Sequence, residues 1–470
     1  MTAEFSALPS WTRRDILKLG ASGLLAATGG LLGNESLLAQ EMGERPIQAN
    51  GVTVVNPRGR VPVSLIIDDS TCLANLAHFC IPHFHEVYPD RYLQDWRKLP
   101  REIPDAFVKK FGEWCREHGI KGKYSIIPYP ACVGWIDRDM PGWSRRQLEA
   151  SVRFVREFMT VDWDIHPEMV THTFAVDTNT GRPYPERTEQ FLENARFSVG
   201  KTAEQLADYM GYALKILKNV GLRCEGITTP GGFGNRSREA LSKGTLLAVR
   251  DVFGAEIPHY FRHLFTGRES VAPRVEYASG LETDDPRCVV SIIGCTSDWF
   301  GGWDGLSPGS VDQFITEDLE GGRLPEVIER GEPVILVSHW PGIYFNGDEI
   351  GFAIFQEVVR RLHRGYDNLI WMKLSEISRY WAAKELTRID LRGESVVLRS
   401  PFACPDFTFE VTVPHGRPLK ATAAGKPIEL KELSDPLQLK GGHWVRDDDD
   451  EIRICLNLPK RENITVAWTQ

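Results

Sequence analysis

Two adjacent carboxylates, Asp68 and Asp69, close a short apolar run, Leu65-Ile66-Ile67. Side by side they repel, so keeping both at the end of a buried strand requires a neighbouring cation or a proton retained by one of them. Metal ligation and proton transfer are the chemistries such a pair serves; a solvated Asp-Asp turn is the plain alternative. Two histidines, His172 and His339, lie near the ends of other predicted apolar runs. In α/β barrels catalytic groups gather at the C-terminal ends of parallel strands. Asp68, Asp69, His172 and His339 therefore form one candidate active site. Trp340-Pro341-Gly342 follows His339 directly and reads as a turn holding it at the sheet mouth.

Other residues compete for roles around that site. His83 and His85 alternate, so on an extended segment both would face one way, as a ligand pair or as packing in an aromatic loop. Trp299 and Trp303 sit among glycines, an arrangement suited to sugar stacking or to local packing. Asp298, just before them, is a candidate substrate contact. Pro230 opens a Gly-Gly-Phe-Gly loop that lacks the lysine and spacing of a phosphate loop. Pro230 and Trp340 are placed with the substrate-binding residues.

The elements that must carry these groups alternate. Unbroken apolar runs at 65–67, within the stretch 61–70, and at 124–128, 169–174, 224–228, 289–293, 333–338 and 369–372 read as buried strands. Helical spacing appears at 104–118, 145–159, 202–220, 236–249, 308–317, 323–329, 351–363 and 374–384. Residues 71–100 show no clean period and read as a long loop over the first strand. The alternation predicts a parallel sheet, closed or nearly closed, over residues 60–385. Beyond 385 short strands separated by Gly, Pro and Asp clusters predict a small antiparallel β-sandwich-like domain, 386–470. Asp447–Asp450 reads as a solvated turn or, less fittingly, a calcium site, because it lacks spaced oxygen ligands.

The 470-residue chain, 42% hydrophobic and 25% charged, has the composition of a globular protein with room for more than one domain. A net charge of -9 without a basic block argues against nucleic acid as a partner. Nine cysteines form no CxxC pair, though Cys72 and Cys80 are near enough in sequence to bridge. Arg13-Arg14 precedes a glycine- and alanine-rich apolar run from Leu19 to Leu32, the pattern of a twin-arginine export signal over residues 1–40. Cleavage near Ala39 would leave a linker at 41–59. The mature chain is then expected to be periplasmic or extracellular, with no integral membrane span.

The order of motifs resembles the polysaccharide deacetylase family, over about residues 60–381. The resemblance rests on Ile67-Asp68-Asp69, on Ala106 to Ile127, on Thr171-His172-Thr173, on Thr229-Pro230-Gly231-Gly232, on Val334 to His339, and on Leu374-Ser-Glu-Ile377. It implies a distorted (β/α) barrel and a metal-dependent hydrolase that removes acetyl groups from an oligo- or polysaccharide. One divalent ion is implied, zinc first, with cobalt or nickel as alternatives. Asp69 and His172 would be metal ligands, Asp68 the general base and His339 the general acid. The family's second histidine should fall at Val176, leaving Asp177, His83 or His85 as substitutes, and its arginine should fall near Thr228, where the chain has none. Two competing readings stay open. One is a metal-free carbohydrate enzyme such as a glycoside hydrolase, which would set Asp68 against a distant carboxylate such as Asp177 or Asp298. The other is a non-catalytic carbohydrate-binding barrel.

Overall fold

Every residue from Val61 to Asp68 is buried, so this strand has no solvent face and must be covered on both sides. In the computed structural model, which describes residues 42–446 and 450–468, it is the centre of a parallel sheet. The sheet order is Val334–His339, Val61–Asp68, Gly122–Ser125, Trp163–His166, with Leu369–Trp371 pairing against the start of the central strand. Register sets Asp68 opposite His339 and Ser125 opposite His166, so polar residues from four strands end at one rim. A second sheet runs Met42–Gly43, Arg274–Ser279, Arg287–Gly294, His259–Leu264, Gly226–Thr228. Its last three strands are parallel.

The two sheets meet on two sides, each through a single backbone hydrogen bond. Thr228 N donates to Pro167 O at 3.0 Å, and Cys295 N donates to Ile335 O at 2.8 Å. No continuous ladder joins the edges among the described residues, so of the expectation of a closed or nearly closed sheet, the closed form is not observed. The strands account for this: Gly226–Thr228, the edge of the second sheet, has only three residues, and Arg287–Gly294, already paired on both sides within its sheet, reaches Val334–His339 only beyond its own end. The architecture is mixed α/β, with helices over the sheets. Ser144 and Thr202 begin two of these helices as full capping boxes, with Gln147 and Gln205.

Three local expectations differ. Residues 71–100 are not a long loop: Leu76–Val87 is a helix that buries Leu76, Ala77, Cys80, Ile81 and Phe84 on one stripe. Pro82 and the interspersed histidines obscure that period. Residues 169–174 are not a strand; the strand is Trp163–His166, and the following segment turns through left-handed Met169 and His172. The helix expected over 308–317 is only Val311–Phe314.

Beyond residue 386 two five-stranded sheets form, one around Ser395–Arg399 and Asn463–Trp468, the other around Cys404–Thr412 and Glu451–Leu458. The segment expected as a linker supplies strands to other sheets. Val52–Val54 pairs with Cys404–Thr412, and Met42–Gly43 pairs with Arg274–Ser279. One apolar cluster runs from Ile66, Ile335 and Val337 through Ile377 and Trp381 to Phe407 and Ile454, and the described residues form one compact unit. All nine cysteines, Cys72 and Cys80 included, are free thiols. The export segment and Asp447–Asp449 lie outside the described residues. Among the described residues no helix is long and apolar enough to cross a membrane.

Candidate metal centre

The strand ends at Asp68, and Asp69 takes the left-handed conformation, φ 58°. For a non-glycine residue this is an uncommon, strained choice. It breaks the strict alternation of a strand, so the two carboxylates need not point to opposite faces. Asp68 meets Lys123, a lysine with no exposed surface, through a short ion pair. The Lys123 ammonium also donates to Ser125 Oγ at 2.8 Å and Ile67 O at 3.2 Å. Burial raises the Asp68 carboxyl to about 6, with Lys123 pulling the other way. Lys123 thus supplies the cation that sequence reasoning sought as an arginine near Thr228. It went unnoticed because the expected strand began one residue later, at Tyr124.

Asp69 faces the segment after the third parallel strand. His172 Nε2 lies 2.9 Å from Asp69 Oδ1 and 3.5 Å from Glu168 Oε1. Glu168 accepts from Asp69 N at 2.8 Å. One donor atom from each of Asp69, Glu168 and His172 lies within 4.8 Å of the others, and all three residues are buried. Glu168 is the third member that the sequence reading lacked. It stands four residues before His172, whereas the expected partner position was four residues after, where buried Val176 lies. The signal was an acid-histidine pair in reverse order.

Electrostatics show why this cluster suits a cation. Burial would lower the His172 imidazole, but Asp69 and Glu168 overcome it and hold it well above its ordinary value. Burial would raise Glu168, but His172 brings it down to about 2. Asp69 Oδ1 is buried and makes no hydrogen bond of good geometry, despite its 2.9 Å approach to the imidazole. Two buried carboxylates with a spare acceptor, facing an imidazole nitrogen, form a donor set that fits a divalent ion. Three protein ligands would leave a position open for water or substrate.

His339 stands across the rim. Its Nδ1 donates to Asp298 Oδ1 at 2.5 Å. Burial would lower this imidazole, but Asp298, Asp69 and Asp68 together hold it up to about 10. Asp298, expected as a substrate contact, is instead the carboxylate that orients His339. The His339 side chain keeps 24% of its surface exposed, against 1% for Asp69, so the centre opens on the His339 side.

The remaining expected ligands lie elsewhere. His83 and His85 share a helix rather than an extended segment, so they diverge. His83 Nδ1 pairs with Thr173 Oγ1 at 3.1 Å, and the exposed His85 with Arg91 O at 3.1 Å. Asp177 caps its own turn, accepting from Asn179 N at 2.9 Å. Trp340 is fully buried against Phe107, Phe111 and Tyr124, and is core rather than a substrate contact. Trp299 packs edge-on against Phe314. Trp303 packs on Phe84 and Tyr92, and Phe84 in turn lies 6.2 Å from the His172 ring, so Trp303 is one ring removed from the centre. Pro230 is buried beside a loop whose Gly231 and Gly232 press on the Asn194 backbone.

A second grouping, Asp164, His166 and His259, has donor atoms equally close. Its members are already engaged within the fold. The two imidazoles meet through their Nε2 atoms at 2.9 Å, and Asp164 accepts from Ser375 N at 2.6 Å and Ser375 Oγ at 2.9 Å. Burial drives both imidazoles down, His259 to about 4, so neither carries charge at neutral pH.

No family model matches the chain, and no curated protein matches it. Among solved structures, the catalytic domain of GH30 xylanase C from Talaromyces cellulolyticus is similar at 8% identity and TM-score 0.27, covering 89% of this chain and 100% of that one. An uncharacterized protein of Listeria monocytogenes EGD-e, lmo2446, is similar at 8% identity and TM-score 0.29, covering 89% of this chain and 55% of that one. At these TM-scores neither likeness bears on what the chain does.

Proposed function

We propose that this chain is a metal-dependent hydrolase that removes an acyl group from a carbohydrate, on a distorted, incompletely closed (β/α) barrel. The observation that carries this reading is the grouping of Asp69, Glu168 and His172 beside a lysine-held Asp68 and a carboxylate-held His339. Asp69, Glu168 and His172 would hold the ion. A bound divalent ion would polarise the acyl oxygen and the attacking water. Asp68 accepts the proton of that water, with Lys123 keeping its carboxylate in place. His339, charged and held by Asp298, donates a proton to the departing amine or alkoxide. The half-buried Tyr92 and Trp303, packed on the buried Phe84 that separates them from His172, offer apolar ring faces, the surface that supports the carbohydrate part of the reading. The donor set of two carboxylates and one imidazole takes zinc, cobalt or nickel, and its oxygen content also admits manganese.

The test is metal content and turnover in three proteins. Wild type is expected to bind about one divalent ion per chain at this centre. Asp69→Ala should lose it. His339→Ala should keep the ion while turnover on an acetylated oligosaccharide falls about 10²- to 10⁴-fold. Equal metal affinity in wild type and Asp69→Ala would overturn the ligand assignment.

A further inference from the structure

Glu193 is fully buried and its carboxylate accepts more bonds than any role in packing requires. Val170 N and Thr171 N reach Oε1, each at 3.2 Å, and the Tyr209 hydroxyl donates to the same oxygen in a short bond. Thr171 N at 3.0 Å and His172 N at 2.6 Å reach Oε2. Three successive backbone N–H groups therefore converge on one side chain. They belong to the irregular segment in which Met169 has φ 52° and His172 has φ 68°. A histidine in the left-handed region is costly and persists only where its surroundings fix it.

The clamp is itself held. Glu193 N donates to Thr173 O at 2.8 Å, and Gly232 N donates to Asn194 O at 2.6 Å. Tyr209, which also receives Val176 N at 3.2 Å, ties the carboxylate to the helix Ala203–Asn219. Among the described residues, the network reaches Asp69 and Glu168 only through the His172 imidazole.

We infer that Glu193 is the positioning residue of the metal centre: by gathering the N–H groups of Val170, Thr171 and His172 it forces the left-handed turn that aims the His172 imidazole at Asp69 and Glu168. This rests on the metal reading of the site. The geometry makes glutamine a poor replacement, since its amide NH₂ would face N–H or O–H donors on one side whichever way it turned.

The test is zinc affinity, measured by competition with a chromogenic chelator, in wild type, Glu193→Gln and Tyr209→Phe, with thermal unfolding of each protein free of metal. Glu193→Gln is expected to weaken zinc binding about 10- to 100-fold, the size found when partners behind metal ligands are removed. Tyr209→Phe, which removes one bond of the set, should weaken it in the same direction by less. A merely structural role would lower the melting temperature of the metal-free protein and leave zinc affinity at the wild-type value; that result overturns the inference. If Glu193→Gln does not fold, Tyr209→Phe decides, and wild-type affinity in the folded variant overturns the inference alone. A wild type that binds no divalent ion overturns the metal reading and the inference together.

Discussion

Lys123 is the residue that most changes how the Asp68-Asp69 pair is understood. Two acids at a strand end invite a metal explanation for both, yet Asp68 has its own buried ammonium and Asp69 has the imidazole of His172. The pair is thus divided between a proton-handling and a ligand-like environment by its neighbours. Removing one partner of a buried ion pair leaves the other charge without compensation. Lys123→Met is therefore expected to cost about 3–5 kcal/mol of stability. Denaturant unfolding measures this, and a loss below about 1 kcal/mol, the size of an exposed pair, would show that the charge is solvated.

At the scale of elements, helix Leu374–Leu386 packs on the second sheet and on Cys404–Thr412, and Asp164 anchors its N-terminus to the strand Trp163–His166. The Asp164 carboxylate accepts from Ser375 N and Ser375 Oγ, and burial nonetheless raises its carboxyl to about 6. An ordinary aspartate in the unfolded chain titrates near about 3.9. The folded state thus holds this proton more tightly, so the group's contribution to stability declines as pH rises from about 4 to about 6 and is level above. Asn at this position keeps an acceptor for Ser375 N and a donor for Ser375 Oγ without the ionisation. Asp164→Asn is expected to be more stable than wild type by about 1–2 kcal/mol at pH 8, with the difference vanishing below about pH 4. Melting curves at the two pH values check this; equal stability at pH 8 would mean the carboxylate is not penalised.

For the whole molecule, the β sheets after residue 386 and the α/β layers share structure. Val52–Val54, before the first parallel strand, pairs with Cys404–Thr412. Tyr380 Oη donates to Val55 O at 2.7 Å and accepts from Thr408 N at 3.1 Å. Trp381 and Ile377 pack in the same cluster as Phe402, Phe407 and Phe409. Burying each such aromatic contributes about 1.5–3 kcal/mol, and together they are of the same size as the margin of about 5–15 kcal/mol by which domains are stable. A chain ending at residue 385 is expected to be insoluble or unfolded, and the full chain to melt in one transition. A soluble, cooperatively folded 40–385 fragment would show that the two parts are independent.

Much of this protein was legible in its order of residues. Unbroken apolar runs marked the buried strands at 61–68 and 334–339, because a strand covered on both faces has nowhere to place polar side chains. The short alternating segments after residue 386 marked the β sheets for the converse reason. Asp68, Asp69, His172 and His339 stood out because charged and titratable groups at the ends of apolar runs need a purpose. Their partners did not stand out. Glu168, Lys123 and Glu193 are ordinary charged residues in the chain, and what distinguishes them is burial against a group distant in sequence; Asp298 is legible only as a substrate contact, not as the partner of His339. The helix Leu76–Val87 was hidden by Pro82 and its histidines, and with it the fact that His83 and His85 diverge. Local chemistry selects which residues can act; only the register of Asp68 with His339, and the left-handed turns at Asp69 and His172, decide which of them meet.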